Sequence, residues 1–191
     1  MTASGLSSSE RRALLARARD AVERVVTGAR ARLSDAPPSA EEPLAKPGAA
    51  FVTLHVAGAL RGCIGTSEAE RPLWRVVGDM ATAAATRDPR FAPLAPADLE
   101  TLTVEISVLS AQKAIRDPAE IEIGRHGIDV RRSLARGLLL PQVAVEHHLD
   151  RDRFLAETCR KAGLPADAWR DPSTEVRIFE ADVFGDDTSG A

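Results

Sequence analysis

The chain has 191 residues, 44% hydrophobic and 28% charged, with a formal net charge of -3. That length can bury one sizeable core with a small satellite lobe, and the mild negative charge excludes the whole-molecule positive field that draws proteins to nucleic acid or an anionic membrane. Two cysteines exclude a disulfide scaffold, no apolar run approaches the roughly 20 residues of a membrane helix, and Met1–Ser9 lacks the basic-then-apolar start of a secretory signal, so the expected location is cytoplasmic, with both thiols reduced.

Residues 1–9 are polar and expected to be disordered. From Glu10 to Leu33, Leu14, Ala18, Val22, Val25, Ala29 and Leu33 recur at helical spacing, with Ser9 as the N-cap. That stretch holds seven arginines against three acidic residues, net +4; with no interleaved aromatics for base stacking, the pattern reads as a solvated face, and nucleic acid is not an expected partner. Ser34 to Gly48 contains four prolines and predicts a loop.

Phe51–Val56 and Leu60–Ile64 read as a hairpin. A three-residue loop, Ala57-Gly58-Ala59, would set Val56 against Leu60, Leu54 against Gly62 and Val52 against Ile64, which makes one apolar face. The other face would then carry His55 opposite Arg61 and Thr53 opposite Cys63, with Gly58 or a neighbour in the left-handed region. Arg71–Thr86 predicts a second helix opened by Pro72, and Arg87–Asp98 a proline-punctuated loop around Phe91. Leu102, Val104, Ile106 and Val108 alternate with polar residues as a strand. Short strands are expected at Ile121–Ile123, Ile128–Val130 and Leu138–Leu140, then a helix from Pro141 to His148 and another capped by Asp150 or Asp152 and stopped by Gly163. Glu175–Phe184 predicts a last strand. The expected class is α+β: an antiparallel or mixed sheet flanked by helices, in one domain over residues 10–184 with a tail at 185–191.

Cys63 heads the candidates for chemistry. A nucleophilic thiol needs solvent access and a nearby cation, and Arg61 lies two residues away on the same strand face. His55 would sit diagonally from Cys63, about 7–8 Å between Cα atoms. Gly62 and Gly65 bracket the cysteine and allow close backbone approach, while a free cysteine equally serves as a small buried hydrophobe. Glu105 on the polar face of the best strand is a candidate base or anchor, or a solvated strand residue. His126 between two glycines is a titrating group or a turn residue. Gln142 shares a helix face with Glu146 and could hold a polar ligand or cap the helix. Glu146-His147-His148 points in three directions about 100° apart, so no metal site is expected. Cys159 falls on an apolar helix stripe and reads as core.

Leu60-Arg61-Gly62-Cys63-Ile64-Gly65-Thr66 resembles the signature heptad of the AMMECR-domain family (AmmeMemoRadiSam system protein A). The resemblance extends through Arg87–Leu94, Val104–Ser110, His126–Ile128, Gly137–Ala144 and Cys159–Pro165 with Trp169, nearly the whole chain. It implies a compact α+β protein of two unequal lobes, with no cofactor, and association with Memo-type and radical-SAM proteins. Ser67 and His147-His148-Leu149 depart from the family's pattern. The resemblance implies no reaction. The expected function is a cysteine-centred enzyme or enzyme component for a small polar or anionic substrate: Cys63, Arg61 and Glu105 catalytic, and Gly62, Gly65, Thr66, His55, His126 and Gln142 binding. The alternative is a non-catalytic module that holds a peptide or protein on the same surface.

Overall fold

The structure is a computed structural model and describes residues 5–30, 34, 36–37 and 43–186. The expected end of the first helix at Leu33, part of the loop to Gly48, residues 1–4 and residues 187–191 of the tail lie outside the described residues. In chain order the elements are α1 (Ser8–Thr27), β1 (Ala49–Val56), β2 (Ala59–Thr66), α2 (Leu73–Thr86), β3 (Leu102–Leu109) and β4 (Lys113–Ile115). There follow β5 (Gly127–Arg132), β6 (Ala135–Leu139), α3 (Pro141–Glu146), α4 (Arg151–Lys161), β7 (Glu175–Phe179) and β8 (Ala181–Gly185). The α+β class is as expected. The chain forms two compact units, residues 1–108 with 182–191, and residues 109–181.

The first unit holds a four-stranded sheet in the order β2-β1-β3-β8. Leu102, Val104, Ile106 and Val108 of β3 and Ala50, Val52 and Leu54 of β1 bury one face against Leu14, Ala18 and Val22 of α1 and Val76, Val77 and Ala84 of α2. Each fully buried Leu, Ile or Val among these contributes about 1.5–3 kcal/mol against the entropy of ordering the chain. Helix α1 begins at Ser8, two residues before the expected Glu10. Ser7 is the N-cap in place of Ser9: its Oγ accepts from Glu10 N–H at 3.3 Å, and Glu10 returns a carboxylate to Ser7 N–H at 2.6 Å. Gly28, with φ 71°, ends the helix.

The second unit holds a sheet in the order β4-β7-β5-β6, with every neighbouring pair antiparallel. Ile128 and Val130 of β5 and Val176 and Ile178 of β7 meet Phe154, Leu155 and Cys159 of α4 in its core. Asp150 caps α4, its Oδ1 accepting from Arg153 N–H at 2.8 Å, and Gly163 at φ 73° stops the chain beyond it.

Three expectations need correcting. Ile121–Ile123 is not a strand: Ile121 is a core residue, while Ile123 is 41% exposed and enters a turn at Gly124, φ 85°. The last strand is two, since β7 and β8 belong to different sheets with Glu180 between them. Strand β4 lies outside the expected elements, and of Leu138–Leu140 the first two end a longer β6 while Leu140 is the N-cap of α3.

Candidate functional site

The site begins with the β1–β2 hairpin. Val52 pairs with Ile64, Thr53 with Cys63 and Leu54 with Gly62, as the apolar face requires. Beyond Leu54 the expected register fails. His55 pairs with Leu60, and Val56 with Ala59. The turn is two residues, Ala57 at φ 49° and Gly58 at φ 78°, and both left-handed angles match the twist of a tight hairpin. Arg61 is the extra residue of a bulge, so it does not stand opposite His55.

Cys63 is half-buried, and its Sγ accepts a hydrogen bond from Thr53 Oγ1 at 3.3 Å. Strand β2 is an edge of its sheet, and an edge leaves unpaired amides. One of these, Cys63 N–H, donates to Asp88 Oδ2 at 2.8 Å. The Asp88 side chain is only 2% exposed, and Arg90 grips it with Nε on Oδ1 at 3.0 Å and Nη2 on Oδ2 at 2.7 Å. Arg90 Nη2 also reaches Cys63 O at 3.4 Å, and its side chain is 55% exposed. The Arg90 fork, outweighing burial and helped by the Cys63 and Arg90 amides, holds the Asp88 carboxyl well below the usual carboxylate range. In return Asp88 raises the Arg90 guanidinium, with smaller contributions from the Cys63 side chain.

Arg61 is not the guanidinium at Cys63. Its Nη1 donates to Ala92 O and its Nη2 to Asp98 Oδ2, both at 3.4 Å, so the loop after α2 takes its charge. The cation nearest the thiol's backbone is Arg90, and neither Arg90 nor Asp88 stood among the expected site residues. Their signal was present in Arg87-Asp88-Pro89-Arg90-Phe91, where two opposite charges flank a proline.

The bracketing glycines answer to packing. A Cβ on Gly62 would lie 2.2 Å from Ala84 O, so α2 lies directly on the strand there. A Cβ on Gly65 would lie 2.2 Å from the Phe51 ring. Thr66 Oγ1 accepts from Glu68 N–H at 3.1 Å and closes the turn after β2. His55 and Glu105 are both half-buried. In the sheet order, β1 lies between the strands of Cys63 and Glu105, so at least about 10 Å separates those two backbones.

His126 and Gln142 belong to the second unit. His126 Nδ1 accepts from Glu122 N–H at 3.1 Å, and the His126 backbone N–H donates to Glu122 O at 2.9 Å, so the residue staples a turn. Gln142 is the second residue of α3. Cys159 is fully buried, and burial pushes its thiol up. Among the described residues, no group of three or more His, Cys, Asp or Glu side chains could hold a metal ion, and no helix is long and apolar enough to cross a membrane.

The AMMECR1 family model matches residues 15–184. A protein of Methanothermobacter thermautotrophicus is 43% identical over 95% of this chain and 97% of its own length. One from Thermococcus gammatolerans is 43% identical over 87% of this chain and 85% of its own. The crystal structure of an uncharacterized protein, PH0010 of Pyrococcus horikoshii, superposes with a TM-score of 0.80 at 40% identity, covering 90% of this chain and 89% of that one. With the heptad around Cys63 and nearly the whole length accounted for, the chain belongs to the AMMECR1 family.

Proposed function

We propose that the first unit carries a cysteine-centred site for a small polar or anionic substrate, with Cys63 Sγ as the reacting atom. One observation carries the reading: a half-buried thiol lies beside an exposed guanidinium, with Arg90 Nη2 3.4 Å from Cys63 O. Thr53 Oγ1 orients the sulfur, and Arg90 meets substrate charge while Asp88 fixes its position. Arg61, paired with Asp98, braces the loop that carries Arg90, and Glu105, two strands away, accepts or donates a proton through the bound substrate. Memo-type and radical-SAM proteins are the partners in this reading, on the strength of the motif resemblance alone, and the cytosol is its setting.

The second reading is a non-catalytic module holding a peptide or protein on this surface. The Asp88 contact favours it. A carboxylate already occupies the Cys63 amide, so an oxyanion formed there would find that donor taken.

Alkylation of the full chain separates the two, with buried Cys159 as an internal control. For an enzyme site, Cys63 reacts with iodoacetate faster, relative to neutral iodoacetamide, than a free thiol does, by about tenfold at low salt. Arg90→Gln removes that preference. A Cys63 with the same reagent preference as a free thiol, unchanged in Arg90→Gln, defeats the catalytic reading and leaves the binding module.

A further inference from the structure

The second unit contains a cavity of about 420 Å³ that the Cys63 site does not use. Its position follows from three local structures: the end of β4, helix α4, and the turn from Ala168 into β7. Ile115, Leu155 and Val176 line it with aliphatic carbon, and Trp169 with indole. The Arg170 guanidinium lies over that indole, 4.6 Å from the ring centre, so ring and guanidinium together make a flat, polarisable wall.

The charges around the cavity are unequally engaged. Asp171 is bound by Ser173 N–H at 2.9 Å and by Arg132 at 3.4 Å. Arg170 reaches Asp152 at 3.5 Å. Arg116 also lines the cavity and is exposed, and among the described residues its guanidinium has no hydrogen bond or ion pair. Thr174, 8% exposed, lines it too, and its hydroxyl is without a hydrogen-bond partner. A hollow of mixed polar and apolar lining with a flat wall, one uncommitted cation and one unsatisfied hydroxyl is the composition of a small-molecule site, within the usual volume range.

We infer that this cavity binds an aromatic carboxylate: a planar apolar body against Trp169 and Ile115, and one negative charge on Arg116. The inference is independent of the chemistry at Cys63.

The test is a titration of the full chain with 2-naphthoate and with its uncharged counterpart 2-naphthalenemethanol, followed by the indole N–H signals in nitrogen-15 NMR. The chain has two tryptophans, and Trp74, 3% exposed in the core of the first unit, serves as the reference. The Trp169 signal is expected to shift saturably with naphthoate while that of Trp74 stays fixed. Naphthoate is expected to bind about tenfold more tightly than the alcohol, the margin of one charge-assisted contact. Arg116→Gln, an exposed substitution that leaves the core untouched, is expected to erase that margin. The inference is overturned by an unmoved Trp169 signal, by both indoles moving together, by equal binding of acid and alcohol, or by a margin that survives Arg116→Gln.

Discussion

The two units each contain a hairpin whose second strand runs under a helix, and the two hairpins differ at the point on which the proposed site depends. In β1–β2 the strand glycine is Gly62, beneath Ala84 of α2; in β5–β6 it is Gly137, whose Cβ would lie 2.5 Å from Thr158 O and from Ala162 N, at the end of α4. Each hairpin also has a nearby Asp-x-Arg fork with a carboxylate side chain only 2% exposed, Asp88 with Arg90 and Asp129 with Arg131. Arg131 is 15% exposed, and its Nη2 donates both to Asp129 and to Gln112 Oε1 at 3.0 Å, so that fork is a structural clamp. Arg90 is 55% exposed and reaches the backbone of a half-buried thiol. The glycine and the fork are therefore shared architecture. The exposed guanidinium beside Cys63 is what sets the first hairpin apart.

If the glycines are architectural, Gly62→Ala and Gly137→Ala should damage the fold alike. Both new methyls would run into helix backbone, which cannot rotate away as a flexible side chain can. Each is expected to destabilise by about 3 kcal/mol, the upper range for overpacking. Urea denaturation followed by circular dichroism reads the loss. A fully stable Gly62→Ala protein that alkylates poorly at Cys63 would break the comparison, because Gly62 would then be serving a ligand.

How much of this was legible follows from which forces are local. The pairings Val52–Ile64, Thr53–Cys63 and Leu54–Gly62 could be read because one slip would turn a whole apolar face to solvent. The turn could not, since the bulge at Arg61 absorbs one residue and frees the loop length from the register. Ile121 and Ile123 mimic strand alternation with only two residues, and β4 is three residues long, too short to show a period. At the site, Cys63 and Arg61 are near neighbours in sequence. Asp88 and Arg90 arrive from 25 and 27 residues away when the loop after α2 closes, and no pattern within the heptad encodes that closure.

The forks sharpen the comparison through acid. Asp88→Asn exchanges a charge-assisted grip for a neutral one and is expected to cost about 1.5 kcal/mol at neutral pH, less than removing a deeply buried partner would, because Arg90 remains hydrated. The folded Asp88 carboxyl titrates below its unfolded value of about 4, so its contribution is complete above that pH. As pH falls below 4 toward the depressed folded value, the contribution is lost. The gap in urea midpoint between the parent and Asp88→Asn should therefore be constant from pH 7 to 5 and shrink from pH 4 to 2.5. A gap that stays constant throughout would mean that the carboxylate's charge contributes nothing to the clamp.

The smallest expected effect lies in the turns. Ala57 at φ 49° and Ser133 at φ 54° hold left-handed angles without being glycine, which strains an L-residue by about 1 kcal/mol. Glycine relieves the strain but adds entropy to the unfolded chain, so Ala57→Gly and Ser133→Gly should each stabilise by about 0.5 kcal/mol. The two need not act alike on the site. The bulge at Arg61 lies between the first turn and Cys63, so a relaxed Ala57 turn should leave Cys63 alkylation unchanged. If Ala57→Gly alters the iodoacetate preference, the bulge transmits the turn to the thiol, and the turn belongs to the functional site along with the loop that carries Arg90.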